Sequence, residues 1–324
     1  MILAVVEHES GAPTESSQEM LTLAREVATE TDSSLEAVVI GAEGAATTDH
    51  LGDHGVGTVH HVDDERLDTY APEAWAESIC QLIETTDPAA VVGPGTDRGQ
   101  ELLAHVGARL DLPMVANCIE VDVDGDQQYE LARQRWGGSL VEHAHLDGET
   151  KLLTAAAHEF SPRTVDDATD PAVESFEPTL DEEAFRVVVD RIESSDTGGV
   201  SLAEARAVVG GGRGVDGADG YDKLERLADH LDGTVGASRA AVNEGWRPHD
   251  DQIGQTGTKI SPDLYIACGI SGAVQHMVGC KGADTTLAIN TDPEAAIMQK
   301  ADYAVVGDLH EIVPELNKML DETG

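Results

Sequence analysis

Aromatic side chains make up only 3% of the 324 residues. Val, Ile, Leu and Ala must therefore build the cores. Cations are scarce as well: 20 Lys and Arg stand against 62 Asp and Glu, a formal net charge of -42. That balance argues against nucleic acid or an anionic membrane as partner, because both carry the same sign of charge. The four cysteines, Cys80, Cys118, Cys268 and Cys280, include no CxxC pair. They read as reduced thiols rather than a disulfide framework, two of them in apolar runs where Cys behaves as a small hydrophobe. The residues before Glu7 contain no basic region and no long apolar run, so a secretory signal is not expected. No stretch is long and apolar enough to cross a bilayer, and the expected location is the cytoplasm.

What is present is enough for two domains with real cores: 324 residues, 40% of them hydrophobic. The acids are spread along the whole chain rather than held in a tail. This is the pattern expected of adaptation to a high-salt cytoplasm, where a dense carboxylate surface stays hydrated.

Apolar runs at Ile2–Val6, Leu35–Ile40, Val56–Val62 and Ala89–Val92 read as buried strands. They alternate with helical spacing over Ser17–Thr29, Ala74–Glu84 and Arg98–Leu110. The alternation predicts a parallel sheet with helices on both faces. After Met114 the rhythm changes. Cys118–Val123, Gln128–Gln134, Ser139–His145 and Lys151–Ala156 read as strands joined by short turns, an antiparallel addition. Ser161–Glu182 lacks periodicity and reads as surface chain; Phe185–Ile192 alternates as a strand would. Ser194–Gly199 is the best linker, which predicts domains over residues 1–195 and 196–324.

The second domain reads as another doubly wound sheet of about five strands, near Ala207–Val209, Thr234–Ala237, Leu264–Ala267, Thr286–Ile289 and Tyr303–Val306. Helices are expected near Gly220–Leu231, Ala273–Val278, Pro293–Lys300 and Leu309–Leu320. The expected fold class is thus α/β, two domains each on a mostly parallel doubly wound sheet. In such sheets ligands bind beyond the strand C-terminal ends.

The conspicuous motifs fall at those ends. Gly212-Arg213-Gly214-Val215-Asp216-Gly217 matches GxGxxG, but the following strand ends in Gly236-Ala237-Ser238-Arg239 without the acid that a ribose-binding dinucleotide site wants. A standard NAD site is therefore disfavoured, while Arg213 can still face a phosphate or a ribityl chain. Ser238 and Arg239 open a helix, a natural place for an anion. Ser271, Gly272, Ala273, Val274, Gln275 and His276 open the next. Elsewhere His8 and His60-His61 read as surface residues, and Gly93–Arg98 reads as a structural turn before a helix more than as a phosphate site. His143 and His145 share a strand face but lack a convincing third metal ligand.

From about Ala207 to Leu320 these motifs resemble the alpha subunit of electron transfer flavoproteins. VGASRAAV at Val235–Val242, GQTG at Gly254–Gly257, YIACGISGAVQH at Tyr265–His276, AIN followed by TDPEA at Ala288–Ala295, and ADYAVVGDL at Ala301–Leu309 with the following VPEL occur in that family's order and spacing. The N-terminal region resembles the family more in layout than in local identity. The resemblance implies FAD as cofactor and a heterodimer with a beta subunit, which completes the site and binds AMP, or a second FAD in electron-bifurcating members. Matching positions are Arg213, Ser238, Arg239, Ile253, Gly254, Gln255, Thr256, Ser271, Gly272, Ala273, Val274, Gln275, His276, Asn290, Asp308 and Leu309. By the same resemblance Arg239 lies over the flavin ring near N5 and Thr256 bonds near N5 or O4. His276 lies near O2, Ser271 and Gln275 serve the ribityl and pyrophosphate, and Asn290 and Asp308 hold the adenosine end. The N-terminal domain is expected to be nucleotide-hydrolase-like and to contact the beta subunit.

The implied function is electron carriage from flavin dehydrogenases, such as acyl-CoA dehydrogenases of fatty-acid oxidation, through an anionic flavin semiquinone to a membrane quinone oxidoreductase. Whether the chain is an ordinary or a bifurcating member stays open at this point. An anion on the ring needs a cation. A unit charge about 4 Å away at an effective dielectric near 20 contributes about 4 kcal/mol, on the order of 170 mV. Arg239 is the first choice for that charge, with His276 adding to it according to its protonation.

Overall fold

The structure is a computed structural model and describes residues 1–123, 128–135, 140–189 and 201–323. The chain divides into two compact units, one of Met1–Arg135 with Val141–Glu193, the other chiefly of Ser194–Gly324. The expected linker at Ser194–Gly199 and the turn at Asp124–Asp126 lie outside the described residues.

The first unit contains β1 (Ile2–Val5), the small hairpin β2 (His8–Glu9) and β3 (Ala12–Pro13), α1 (Glu15–Glu30), β4 (Leu35–Ile40), α2 (Thr48–Asp53), β5 (Thr58–Val62), α3 (Pro72–Thr86), β6 (Ala90–Gly93) and α4 (Asp97–Leu110). It continues with β7 (Met114–Val123), β8 (Tyr129–Arg135), β9 (Leu140–Leu146), β10 (Lys151–Ala155) and β11 (Ala172–Phe176). Its sheet runs β11-β5-β4-β1-β6-β10-β7-β8-β9. Strands β1, β4 and β6 are short runs made mostly of Val, Ile, Leu and Ala, broken only by Glu36 in β4 and closed by Gly93 in β6, as strands covered on both faces should be. Apolar clusters fill both faces, Met20, Leu23 and Val27 of α1 on one side, Ile79, Leu82 and Leu103 of α3 and α4 on the other.

Three expectations need correction here. β10 is not part of the antiparallel addition: it inserts between β6 and β7, parallel to both. Its five residues are all buried, which is what a central strand requires and what the local turn pattern could not reveal. The region read as featureless surface chain supplies β11, a parallel edge strand on β5; the sequence did not show it because Ala172–Ser175 are exposed and bury no apolar face. Phe185 ends a single 3-10 turn, Glu182–Phe185, capped by Asp181, and no strand follows through 189; residues 190–192 lie outside the described residues.

Two histidines read as surface are buried instead. His60 bonds Glu36 Oε2 at 2.8 Å, and His61 bonds the Gly41 carbonyl at 2.9 Å. The turn after β6 is held by its own hydrogen bonds. Thr96 caps α4 through the Gly99 N–H at 2.9 Å and donates to Glu7 Oε1 at 2.7 Å. Arg98 stacks its guanidinium 4.8 Å from the Tyr70 ring centroid.

The second unit contains β12 (Ala207–Gly211), α5 (Asp222–His230), β13 (Thr234–Ser238), α6 (Arg239–Asn243), β14 (Gln252–Ile253), β15 (Leu264–Cys268), α7 (Val274–Gly279), β16 (Thr285–Asn290), β17 (Tyr303–Val306) and α8 (Leu309–Thr323). The sheet has six strands in the order β14-β13-β12-β15-β16-β17, every neighbouring pair parallel. In order of occurrence this is 3-2-1-4-5-6, the doubly wound arrangement whose crevice opens where the winding reverses, between β12 and β15. The expected helix over Pro293–Lys300 is instead a series of turns. The Ile297 N–H is given to the Ser271 carbonyl at 3.4 Å rather than to the preceding turn. The Ile297 backbone is wedged against Gly272, where a Cβ would lie 2.4 Å from the Ile297 nitrogen.

Candidate functional site

The glycines closing β12 are there for close packing. A Cβ on Gly211 would meet the Tyr221 ring at 2.5 Å, and one on Gly210 would meet the Tyr265 hydroxyl at 2.4 Å. Past the strand end, Gly214 and Gly269 bring the loops after β12 and β15 into backbone contact; Gly269 has φ +62°. These two loops form the floor of a cleft of about 550 Å³ at the C-terminal ends of the strands, within the roughly 300–1,000 Å³ usual for small-molecule and cofactor sites.

All the positions matched through the resemblance line this cleft except Gly272 and Val274. Gly272 supports the cleft through its packing on Ile297. Val274 is 71% exposed. The cleft also gathers residues that the motifs did not single out, among them Gln252, Ala240, Asn243, Thr291 and Asp292. Gln252 is the most informative. It is buried, and its Nε2 donates to Thr256 Oγ1 at 3.1 Å. Its position two residues before GQTG was the one available signal.

Each wall is positioned by local chemistry. Ser238 caps α6, accepting from the Ala241 N–H at 3.4 Å, and Arg239 follows it on the exposed rim. Gln255 is held by its own N–H, which donates to the Gln275 carbonyl at 2.8 Å. Asn290 spends its side chain on the loops themselves, donating to the Ile270 carbonyl at 2.8 Å and accepting from the Asp292 N–H at 3.0 Å. Asp308 accepts from the His310 N–H at 2.8 Å at the start of α8.

His276 lines the cleft and is held from behind. Its Nε2 is bonded to the Tyr265 hydroxyl at 2.8 Å. Its Nδ1 is buried without a hydrogen-bond partner among the described residues. Burial lowers the imidazole pKa to about 4, with the Ile253 carbonyl opposing the shift. Burial thus favours the neutral ring in this cleft.

The electrostatics of the cleft are set by other groups. Two arginines, Arg213 and Arg239, and two acids, Asp292 and Asp308, line it, whereas the chain as a whole holds 62 acids against 20 bases. Among the described residues neither arginine has a carboxylate partner, unlike Arg247, which sits 2.7 Å from Asp251 and is pinned to Glu225. Unpaired guanidiniums beside small polar groups and glycine backbone suit a ligand that carries phosphates and a polarisable ring.

Fold and cleft together define a doubly wound, cofactor-binding α/β protein. Comparison with known proteins narrows that class. Residues 201–281 match the model of the electron transfer flavoprotein FAD-binding domain, and residues 2–181 match that of the electron transfer flavoprotein domain. The chain is 35% identical over 299 residues to the electron transfer flavoprotein subunit alpha of Thermoanaerobacterium thermosaccharolyticum, covering 92% of this chain and 91% of that protein. It is 34% identical over 321 residues to the subunit alpha of Mycobacterium tuberculosis, covering 98% of each. A relative from Clostridium saccharobutylicum named Protein FixB is 35% identical over 311 residues, with 96% and 93% covered. The chain belongs to the electron transfer flavoprotein alpha-subunit family, and its cofactor is FAD. The neutral, arginine-bearing cleft fits that cofactor.

Proposed function

We propose that this chain is the alpha half of a heterodimeric electron carrier, working with a beta-type subunit that completes the flavin site. It would take electrons from flavin dehydrogenases of the acyl-CoA type and pass them to a quinone-reducing partner. Bound FAD supplies the chemistry, accepting and releasing electrons one at a time. The observation that carries the reading is the cleft: two arginines without acid partners among the described residues, in a strongly acidic chain, beside the buried Gln252–Thr256 pair.

The roles of the chain's own groups follow from placement. Arg239 and Arg213 hold fixed positive charge at the cleft, one suited to the ring and the other to phosphate or ribityl oxygens. Thr256 accepts from Gln252, which leaves its own O–H free to donate to the cofactor. Ser238, engaged as a cap acceptor, likewise keeps its O–H to donate. Ser271, Gln275, Asn290 and Asp308 line the remainder, where the resemblance puts the ribityl, pyrophosphate and adenosine. The domain reading, residues 1–195 for partner contact and 196–324 for FAD, belongs to the same proposal. So does cytoplasmic, high-salt residence, supported by a net charge of -42.

Co-expression with a beta-type subunit tests this. A yellow heterodimer reduced by a flavin dehydrogenase with its substrate supports the reading. A complex that binds no flavin would defeat it. One flavin per heterodimer marks an ordinary member, and two mark a bifurcating one.

A further inference from the structure

Beneath the cleft lies a buried column of three residues from three elements. Gly210, in β12, leaves room for the Tyr265 hydroxyl, which a Cβ there would approach to 2.4 Å. Tyr265, in β15, is 0% exposed. Its hydroxyl lies 2.8 Å from Nε2 of His276 in α7, with the two ring centroids 6.1 Å apart and tilted by 35°. Tyr265 does not touch the cleft; His276 does.

The chemistry of this contact favours one proton arrangement over the other. A phenol with no access to water must donate its proton to something, and a buried donor left without an acceptor costs about 1–3 kcal/mol. The hydrogen bond that the structure gives this hydroxyl ends on His276 Nε2. Nε2 must then be the unprotonated acceptor, so the imidazole proton sits on Nδ1. The opposite tautomer would leave both the phenol O–H and the Nδ1 lone pair without partners among the described residues, whereas this one leaves only the Nδ1–H. An imidazolium would need a proton on Nε2 as well, facing a phenol that could then donate nowhere.

We propose that Tyr265 is a positioning residue for the cofactor site: seated against Gly210, its phenol locks the His276 imidazole in the neutral Nδ1–H form. This wall of the cleft then presents a neutral ring of fixed orientation, and the positive charge beside the cofactor comes from the arginines. Burial of both rings is consistent with this, raising the Tyr265 phenol well above its ordinary value and lowering the imidazole. The functional consequence rests on the flavin reading given above. The lock itself does not, because it is built entirely from this chain.

The test is 15N NMR of histidine-labelled heterodimer at pH 7, flavin-free and flavin-loaded, with the His276 signals assigned by their loss in His276→Gln. The wild type should show Nε2 as an unprotonated acceptor and Nδ1 bearing the proton. Tyr265→Phe keeps the ring and removes only the hydroxyl. It should shift the tautomer ratio toward Nε2–H about tenfold, the effect of one hydrogen bond. Gly210→Ala, which displaces the phenol without deleting it, should shift the ratio the same way and serves if the first variant does not fold. An Nε2–H or imidazolium signal in the wild type, or an unchanged tautomer in a folded variant, overturns the proposal. Flavin content of the same samples is a separate readout: a locked histidine in a complex that takes no FAD would sink the flavin reading and leave the lock intact.

Discussion

Gln252 and Thr256 face each other across a tight turn, Nε2 to Oγ1 at 3.1 Å, closed by the Gly257 N–H donating to the Gly254 carbonyl at 3.1 Å. The amide fixes which way the threonine hydroxyl can donate. Gln252→Leu preserves volume and removes that constraint. FAD should dissociate about tenfold more readily, the cost of roughly one buried hydrogen bond, while the melting temperature of the flavin-free protein changes little. Flavin fluorescence titration measures the first and calorimetry the second; an unchanged affinity would remove Gln252 from the site.

Gly214 and Gly269 carry a different prediction. A Cβ on Gly269 would lie 2.7 Å from the Gly214 Cα, at a φ of +62°. Gly269→Ala combines backbone strain with overpacking, together about 2–4 kcal/mol. We expect a lower denaturation midpoint for the second unit and loss of flavin. Wild-type stability in this variant would mean that the two loops do not meet as described.

Acid should weaken the second unit through His276. Its folded pKa, about 4, lies below the ordinary value of 6.5. The unfolded chain therefore binds a proton first as pH falls, so stability is fully present above pH 6.5 and is lost between there and 4. The loss is roughly 3 kcal/mol. His54 in the first unit is also lowered, chiefly by burial, and contributes in the same direction. Denaturant titrations of the flavin-free protein at several pH values, compared with His276→Gln, isolate the histidine's contribution. The variant should show a flatter acid limb, and parallel curves would refute the assignment.

The net charge of -42 predicts that salt stabilises the fold, because self-repulsion among exposed carboxylates is screened as the Debye length falls from about 10 Å at 0.1 M to about 3 Å at 1 M. Melting temperature should rise steadily with KCl over that range. A flat profile would contradict the high-salt reading.

Much of this molecule was legible from the sequence because the inner strands of both sheets are buried on both faces. Runs such as Val91-Val92 and Tyr265–Cys268 admit few other readings, and the glycine-polar turns after them locate the cleft. The failures have physical causes too. β10 sits at the centre of a sheet although its turns suggested a hairpin, since strand order depends on contacts distant in sequence. β11 has no buried face to leave a periodic trace. Pro293–Lys300 carries a helix-start signal, but packing against Gly272 and Ser271 takes its backbone elsewhere. Tyr265 looks like a core residue in the sequence, and only its contact with His276 reveals what it holds.

The central claim is that the second unit's cleft holds FAD with the Arg239 guanidinium supplying the main positive charge beside the ring. Potentiometric titration of the heterodimer, wild type against Arg239→Ala, tests it most directly. The variant should retain some FAD, and its first-electron potential should fall by on the order of 100 mV. A flavin-loaded variant that titrates at the wild-type potential would contradict the account.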